Sequence, residues 1–259
     1  MATLNRSASA GKKLISKTLR DMPKKIIANF SQPLLLADYL LSCLEDDTDR
    51  SNQVFALKGL FLLIQNHGLD CPKYYEKLYK LLLPQRVKMT HGISTRSVFS
   101  LDLDTKSRFC RLFDLSLRSS ALPSKMVASF IKRLARLVVT HGVVYSLSDT
   151  MYVVSQIANL IHRHPRCYRL IHRKKTSISL GLRLSNDPYL EEEEDPLKTM
   201  AMKSSLWELE VIMKQHSDQR IRDFCKVFKS DVVSRTSFNI MKCETYASAD
   251  PLDLLKQDL

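Results

Sequence analysis

The sequence has few of the residues that interrupt helices. Only six of its 259 residues are glycine and nine are proline. Folds built from many short strands need more of both, because tight turns depend on them. The scarcity argues against a β-sandwich or β-barrel and favours a helical fold.

The sequence also lacks the short motifs that accompany common catalytic and nucleotide sites. GxxxxGK[ST], GxGxxG, HExxH and GxSxG are all absent. Its six glycines are too far apart in the chain to surround a phosphate group. We therefore expect no enzyme activity, no cofactor and no small-molecule substrate.

Cysteine pairs and long apolar runs are missing as well. None of the six cysteines forms a CxxC pair, which is typical of reduced, buried thiols rather than a disulfide framework. No apolar run reaches the roughly 18–20 residues of a membrane span. The basic N-terminus is not followed by the apolar stretch of a secretory signal.

One group of residues has the chemistry of a zinc site, namely His162, His164, Cys167 and His172. Its spacing is looser than in known sites, and His162 and His164 point to different sides of a helix. The alternative is a helix end at which histidine and arginine offset the helix dipole, and we predict no metal. Arginines on both sides of Cys167 favour a lowered thiol pKa, but no oriented base accompanies it.

The charge balance is strongly positive. Forty lysines and arginines against 27 acids give a formal net charge of +13. Such an excess attracts polyanions, so RNA, DNA, an acidic protein and an anionic membrane surface are all partners that charge alone allows.

Apolar periodicity and capping residues predict an all-α fold of about eight helices. Consecutive antiparallel pairs suggest an α-solenoid of HEAT or armadillo type, or a compact helix bundle; of the two we predict the solenoid. Three regions are expected: a basic, partly disordered N-terminal arm (1–23), a helical domain (24–230) and a poorly ordered C-terminal tail (231–259). The pattern predicts helices over about 33–44, 51–67, 72–83, 105–119, 123–140, 149–164, 197–216 and 218–228, a loop at 84–103 and an acidic loop at 187–195.

The helix over 123–140 separates apolar from basic residues. On a helical wheel Lys132 and Arg136 fall within about 20° of Lys125, with Arg133 about 80° round, while leucines and Phe130 lie opposite. We interpret the basic face as a contact for a partner or RNA, the alternative being a solvated face. On the first interpretation, reversing Lys132, Arg133 and Arg136 to glutamate weakens partner association without unfolding the domain. The full set of candidate contact residues is Lys125, Lys132, Arg133, Arg136, Arg163, Arg166, Arg169 and Arg173.

Several segments together resemble a known family. They are FIKRLARL (Phe130–Leu137), NLIHRHPRCYRLIHR (Asn159–Arg173) and DPYLEEEEDPLKTMAMKSSLWELE (Asp187–Glu210), extended by GLFLLIQNHGLDCPKYYEKLY (Gly59–Tyr79) and RFCRLFDLSLRSSALP (Arg108–Pro123). In this order they resemble the CCAAT-binding factor/Mak21 family over about residues 24–230.

The resemblance implies an α-helical repeat scaffold without catalytic residues. It implies a nuclear and nucleolar protein that acts in ribosome biogenesis, within the small-subunit processome that processes 18S pre-rRNA. The implied partners are nucleolar protein 14 and the pre-ribosomal particle, including its pre-rRNA. Two alternatives remain open from the residues: a DNA-binding transcriptional regulator, as the family's name suggests, and a membrane-associated protein with a basic amphipathic helix.

Overall fold

A computed structural model of the chain describes residues 11, 14–46, 49–89, 92–141, 146–172, 187–229 and 239–248. These residues form two compact units, 1–112 and 113–259, and the division falls within one helix. The described part is dominated by helices, as predicted, although it contains eleven α-helices rather than about eight.

The first unit begins with helix α1 at residues 14–21, followed by a π-helical turn and two short 3-10 turns. Its other elements, in chain order, are α2 (Ala37–Glu45), α3 (Arg50–His67), α4 (Tyr74–Leu81), β1 (Gln85–Met89), β2 (Gly92–Arg96) and the first part of α5 (Leu103–Ser116). Helix α3 packs against α2 and α4. At the α2 contact, a Cβ on Gly59 would lie 3.0 Å from the side chain of Leu40, so glycine allows the two helices to approach closely.

The strands β1 and β2 are an antiparallel hairpin within the region predicted to be a loop. Gln85 pairs with Arg96 and Met89 with Gly92. The segment is polar and basic, with no clean alternation of apolar and polar residues, and that alternation is the pattern from which a strand is predicted. The hairpin could therefore not be read from the sequence.

Helix α3 shows how local signals set the ends of an element. The Asp49 carboxylate accepts hydrogen bonds from the backbone N–H groups of Ser51 and Asn52 at the first turn. Gly68 ends the helix in the left-handed conformation with φ +66°, as its position in the sequence predicts.

The second unit contains the rest of α5 and the long helices α6 (Ser124–His141) and α7 (Leu147–Arg163), which pack against each other. Its remaining elements are a 3-10 turn (Pro165–Tyr168), α8 (Arg169–His172), a 3-10 turn (Ala201–Lys203), α9 (Trp207–Gln215), α10 (Gln219–Phe224), a 3-10 turn (Cys225–Phe228) and α11 (Cys243–Ser248). Phe113, Phe130, Leu134, Ile157 and Leu160 are fully buried in its core, which confirms the predicted apolar faces of α5, α6 and α7.

Part of the predicted tail is packed. Helix α11 contacts α7, and Cys243 and Ala247 are buried. The buried amide of Asn159 donates to the carbonyl of Met241 and accepts from its N–H, both at 2.9 Å. Since this side chain satisfies both backbone groups of one residue, it fixes the approach of the chain to α11.

The segment predicted as a helix over 197–216 becomes α-helical only at Trp207. Asp195 accepts a hydrogen bond from the N–H of Leu197, as the predicted cap should. The chain then makes a turn, and Met200 takes the left-handed conformation with φ +61°. The predicted inward position of Met200 is also wrong, because its side chain is 41% exposed.

Candidate functional site

Residues 187–206 form a strap that runs from the acidic loop to the start of α9 and packs on α6. Ser129 of α6 donates to the carbonyl of Pro196 at 2.5 Å and lies 2.6 Å from the Thr199 hydroxyl. At the other end of the strap, the N–H of Leu206 donates to the carbonyl of Leu170 at 2.8 Å. Ser129 and Thr199 are both buried, so the inner side of the strap is part of the interior of this unit.

The strap covers the basic face of α6. Lys132, Arg133 and Arg136 are 0%, 2% and 3% exposed. The prediction that these three residues face solvent or a partner is therefore wrong. The helical wheel separated two faces correctly, but it could not show that a later part of the chain covers the second face.

Lys132 lies at the centre of this interface. Its Nζ is 2.7 Å from Asp187 Oδ2 and 2.7 Å from Glu208 Oε1, and it donates to the Ser205 carbonyl at 2.6 Å. An ammonium group has three protons and no acceptor, so these three acceptors satisfy it. These hydrogen bonds offset the cost of removing the charge from water, because every proton has a partner.

Arg136 binds the same two carboxylates. Its Nη2 lies 2.7 Å from Asp187 Oδ2, and its Nε lies 3.1 Å from Glu208 Oε1. The guanidinium carbon is 4.7 Å from the centre of the Trp207 ring, a cation–π distance. Trp207 also donates through Nε1 to Asp187 Oδ2 at 2.7 Å. We call Lys132, Arg136, Asp187, Trp207 and Glu208 the ion cluster.

Arg133 holds the backbone of the strap. Its Nη2 donates to the carbonyls of Glu191 and Glu193 at 2.9 and 2.7 Å, and its Nε lies 3.4 Å from the Tyr189 hydroxyl. The guanidinium fork can bind several acceptors in fixed directions. It therefore fixes the path of the acidic loop, while the exposed side chains of Glu192 and Glu194 point away from the core.

The two acids of the ion cluster differ in pKa. Burial raises the pKa of Asp187, but the charge of Lys132 and hydrogen bonds from Lys132, Ser204 and Trp207 outweigh it, so the pKa lies below its usual value. Burial also raises the pKa of Glu208, and there the charges of Lys132 and Arg136 oppose it without reversing it. Glu208 is completely buried, so burial has its largest effect there.

Arg163, another predicted contact residue, also has an internal partner. Its Nη1 lies 3.2 Å from Asp114 Oδ1, while Arg118 Nη2 lies 2.9 Å from Asp114 Oδ2. Gln156 donates to Asp114 Oδ1 at 3.4 Å. Burial raises the pKa of Asp114, but hydrogen bonds and charge from the two arginines hold it below the usual value.

Lys125, Arg166 and Arg169 remain exposed among the predicted contact residues. Cys167 stands between the two arginines, and its Sγ is 3.7 Å from the carbonyl of Ser124, next to Lys125. The 3-10 turn that contains Arg166 therefore meets the start of α6 beside Lys125, and we call Lys125, Arg166 and Arg169 the basic patch. Arg173 lies outside the described residues.

The structure offers no support for chemistry at Cys167 or for a metal site. Burial raises the pKa of the Cys167 thiol to about 12, which contradicts the lowered pKa that its arginine neighbours suggested. Within the described ranges, no group of three or more histidines, cysteines or acids could hold a metal ion. In those same ranges no helix is both long and apolar enough to cross a membrane.

The sequence pattern indicates the basic residues of the interface, but their acceptors, Asp187 and Glu208, were not predicted. The charge pattern of the chain does point to such acceptors. Residues 187–195 hold six carboxylates in a basic chain. Both this segment and part of the helix over 123–140 are among the segments that resemble the CCAAT-binding factor/Mak21 family. Opposite charges in two such segments indicate that they can pair within one fold.

The strap and α6 both lie in the part of the chain that is similar to known proteins. The sequence model of the CBF/Mak21 family matches residues 53–225, which include both. The chain is 37% identical over 209 residues to nucleolar complex protein 4 homolog A of Xenopus laevis, covering 81% of this chain and 35% of that protein. It is 38% identical over 203 residues to nucleolar complex protein 4 homolog of Homo sapiens, covering 78% and 34%.

The chain thus spans about a third of the length of these curated relatives. The match of the family model extends from within α3 to the end of α10. It takes in all the residues of the ion cluster, so the internal interface lies in the part of the chain that the family defines. The chain belongs to the CBF/Mak21 family.

Proposed function

We propose that the chain is a non-catalytic helical scaffold in the nucleolus, where it takes part in assembly of the small ribosomal subunit and processing of 18S pre-rRNA. The observation that carries the proposal is its similarity to relatives named nucleolar complex protein 4 over most of this chain. A scaffold role is also supported by Lys132, Arg133 and Arg136, which bind other parts of the same chain and so stabilise its fold.

The proposal includes a repeat architecture of HEAT or armadillo type. Its support comes from within each unit, since α2 packs on α3 in the first and α6 packs on α7 in the second. Helix pairs of this kind are the building blocks of α-solenoids, which use their extended surfaces to bind other macromolecules.

The proposed partners are a protein resembling nucleolar protein 14 and the pre-ribosomal particle within the small-subunit processome. The basic patch of Lys125, Arg166 and Arg169 is the contact that we propose for the phosphate backbone of pre-rRNA. All three side chains are exposed, and no ion pair with a carboxylate is found for them in the described part of the chain. Exposed cations without a partner can release counterions when they bind phosphate.

The scaffold role is tested by expressing the tagged full chain in cells and by depleting it. We expect a nucleolar signal, co-purification with nucleolar protein 14 and pre-rRNA, and less mature 18S rRNA after depletion. Unchanged 18S levels together with a particle-free purification would refute the proposal.

The basic patch is tested separately by K125E/R166E/R169E. A matched control, K73E/K229E/K242E, changes three other exposed lysines and lowers the net charge equally. We expect the patch variant to recover less pre-rRNA than the control, with unchanged circular dichroism. Equal recovery from both variants would show that only the overall charge matters.

A further inference from the structure

The outer side of the strap has the features of a binding surface. Leu190, Leu197 and Met200 are 51%, 50% and 41% exposed. The N–H of Leu190 donates to the carbonyl of Thr199 at 2.9 Å, which closes residues 190–199 into a loop and brings its two ends together. Three large apolar side chains are therefore exposed on one small loop.

This exposure does not come from a loosely held segment. Tyr189, Pro196, Thr199 and Ala201 are buried, and Arg133 and Ser129 hold the backbone between them. The outward side chains therefore stand on a fixed backbone. A surface that is already ordered loses little conformational entropy when a partner binds.

The net charge of residues 190–199 is negative, in contrast to the chain as a whole, because five acids stand against one lysine, Lys198. Glu192 and Glu194 are exposed on the same loop, whereas the chain carries a formal net charge of +13. The field of the whole molecule repels a basic partner, so such a partner is attracted only where acids are concentrated.

We propose that Leu190, Leu197 and Met200, together with Glu192, form a docking surface for a basic amphipathic helix of another protein, with leucines on one face and lysines or arginines on the other. The apolar residues supply the buried contact and the carboxylates select a cationic partner. This proposal goes beyond the scaffold role and does not depend on it, because it concerns only the surface of the folded chain.

The probe is a fluorescent 18-residue peptide of leucine and lysine arranged as an amphipathic helix, titrated into the purified full chain and followed by anisotropy. We expect saturable binding that L190S/L197S weakens roughly tenfold, because two apolar contacts are lost. E192K should weaken binding about threefold through charge alone. L103S, which changes a leucine that is 46% exposed on α5, should bind like the wild type.

Three results would overturn the proposal. The first is no binding of the peptide by the wild type, and the second is equal affinity of L190S/L197S and L103S for the peptide. The third is a wild-type dimer in sedimentation that L197S dissociates, because a second copy of the chain would then occupy the surface. Circular dichroism and thermal unfolding of every variant show whether the fold is kept. Failure of the nucleolar experiments would leave these binding measurements unaffected.

Discussion

At the scale of single residues, Lys132 shows that a charged side chain on an amphipathic helix can belong to the core. It contacts Asp187 and Glu208 and is fully buried. Removing one partner of a buried ion pair leaves an uncompensated charge, which destabilises far more than the pair itself stabilises.

We therefore expect K132M to lower the free energy of unfolding by about 3–5 kcal/mol. The measurement is urea denaturation followed by fluorescence of Trp207, which is the only tryptophan and reports on the second unit because it lies in the ion cluster. K125M, on the exposed end of the same helix, should change the value by less than about 0.5 kcal/mol. Similar losses in both variants would mean that the cluster does not stabilise the unit.

Met200 has a conformation that its side chain disfavours. Its φ of +61° lies in the left-handed region, which glycine adopts readily and residues with a Cβ do not. We expect M200G to be more stable than M200A by about 1 kcal/mol, because both lose the side chain and only alanine keeps the strain. Thermal unfolding measures the difference in stability between M200G and M200A, and equal stability would show that the strain is negligible.

At the scale of elements, the ends of α3 could be predicted because their causes are adjacent in the sequence. Gly68 stands directly after the last helical residue, and a Cβ there would meet no atom within 4 Å. Its substitution therefore tests backbone strain alone.

We expect G68A to lower the free energy of unfolding by about 1 kcal/mol and G68N to lower it by less, because asparagine tolerates the left-handed region. Chemical denaturation of both variants provides the comparison. If G68A and G68N lose the same stability, strain in the left-handed conformation is not the cause of the loss.

The conformation of the strap could not be predicted from the sequence. Asp195 and Pro196 are sound local signals for a helix start, yet the helix begins only at Trp207. Hydrogen bonds to Ser129 and Arg133, more than fifty residues away in sequence, hold the chain in another conformation. The apolar face of α6 was predictable because its apolar residues recur with the period of a helix. The burial of its basic face depends on the strap, which is distant in the sequence.

At the scale of the whole molecule, the excess of positive charge means that low pH destabilises the fold. Protonation of the carboxylates adds to a formal net charge of +13, which increases self-repulsion. Protonation also weakens the ion pairs of Asp114 with the partly buried Arg163 and of Asp187 with the buried Lys132.

The direction of the pH dependence follows from the pKa shifts. Asp114 and Asp187 have pKa values below the usual 3.8, so the unfolded chain binds more protons as the pH falls through that value. Their contribution to stability is complete above about pH 5 and is lost as the pH falls through their folded pKa values. Glu208, whose pKa is raised, has the opposite sign and partly offsets the loss.

We expect D114N to be less stable than the wild type by about 1–2 kcal/mol at pH 7, because Arg163 loses its charged partner. The difference should shrink as the pH falls below the usual carboxyl pKa of 3.8, because the unfolded wild-type chain then takes up a proton, and it should vanish below the lowered pKa of folded Asp114. Urea denaturation followed by Trp207 fluorescence between pH 3 and pH 7 measures both quantities. A difference that stays constant over this range would place the effect in packing around residue 114, because only a titrating ion pair makes the two proteins converge in acid.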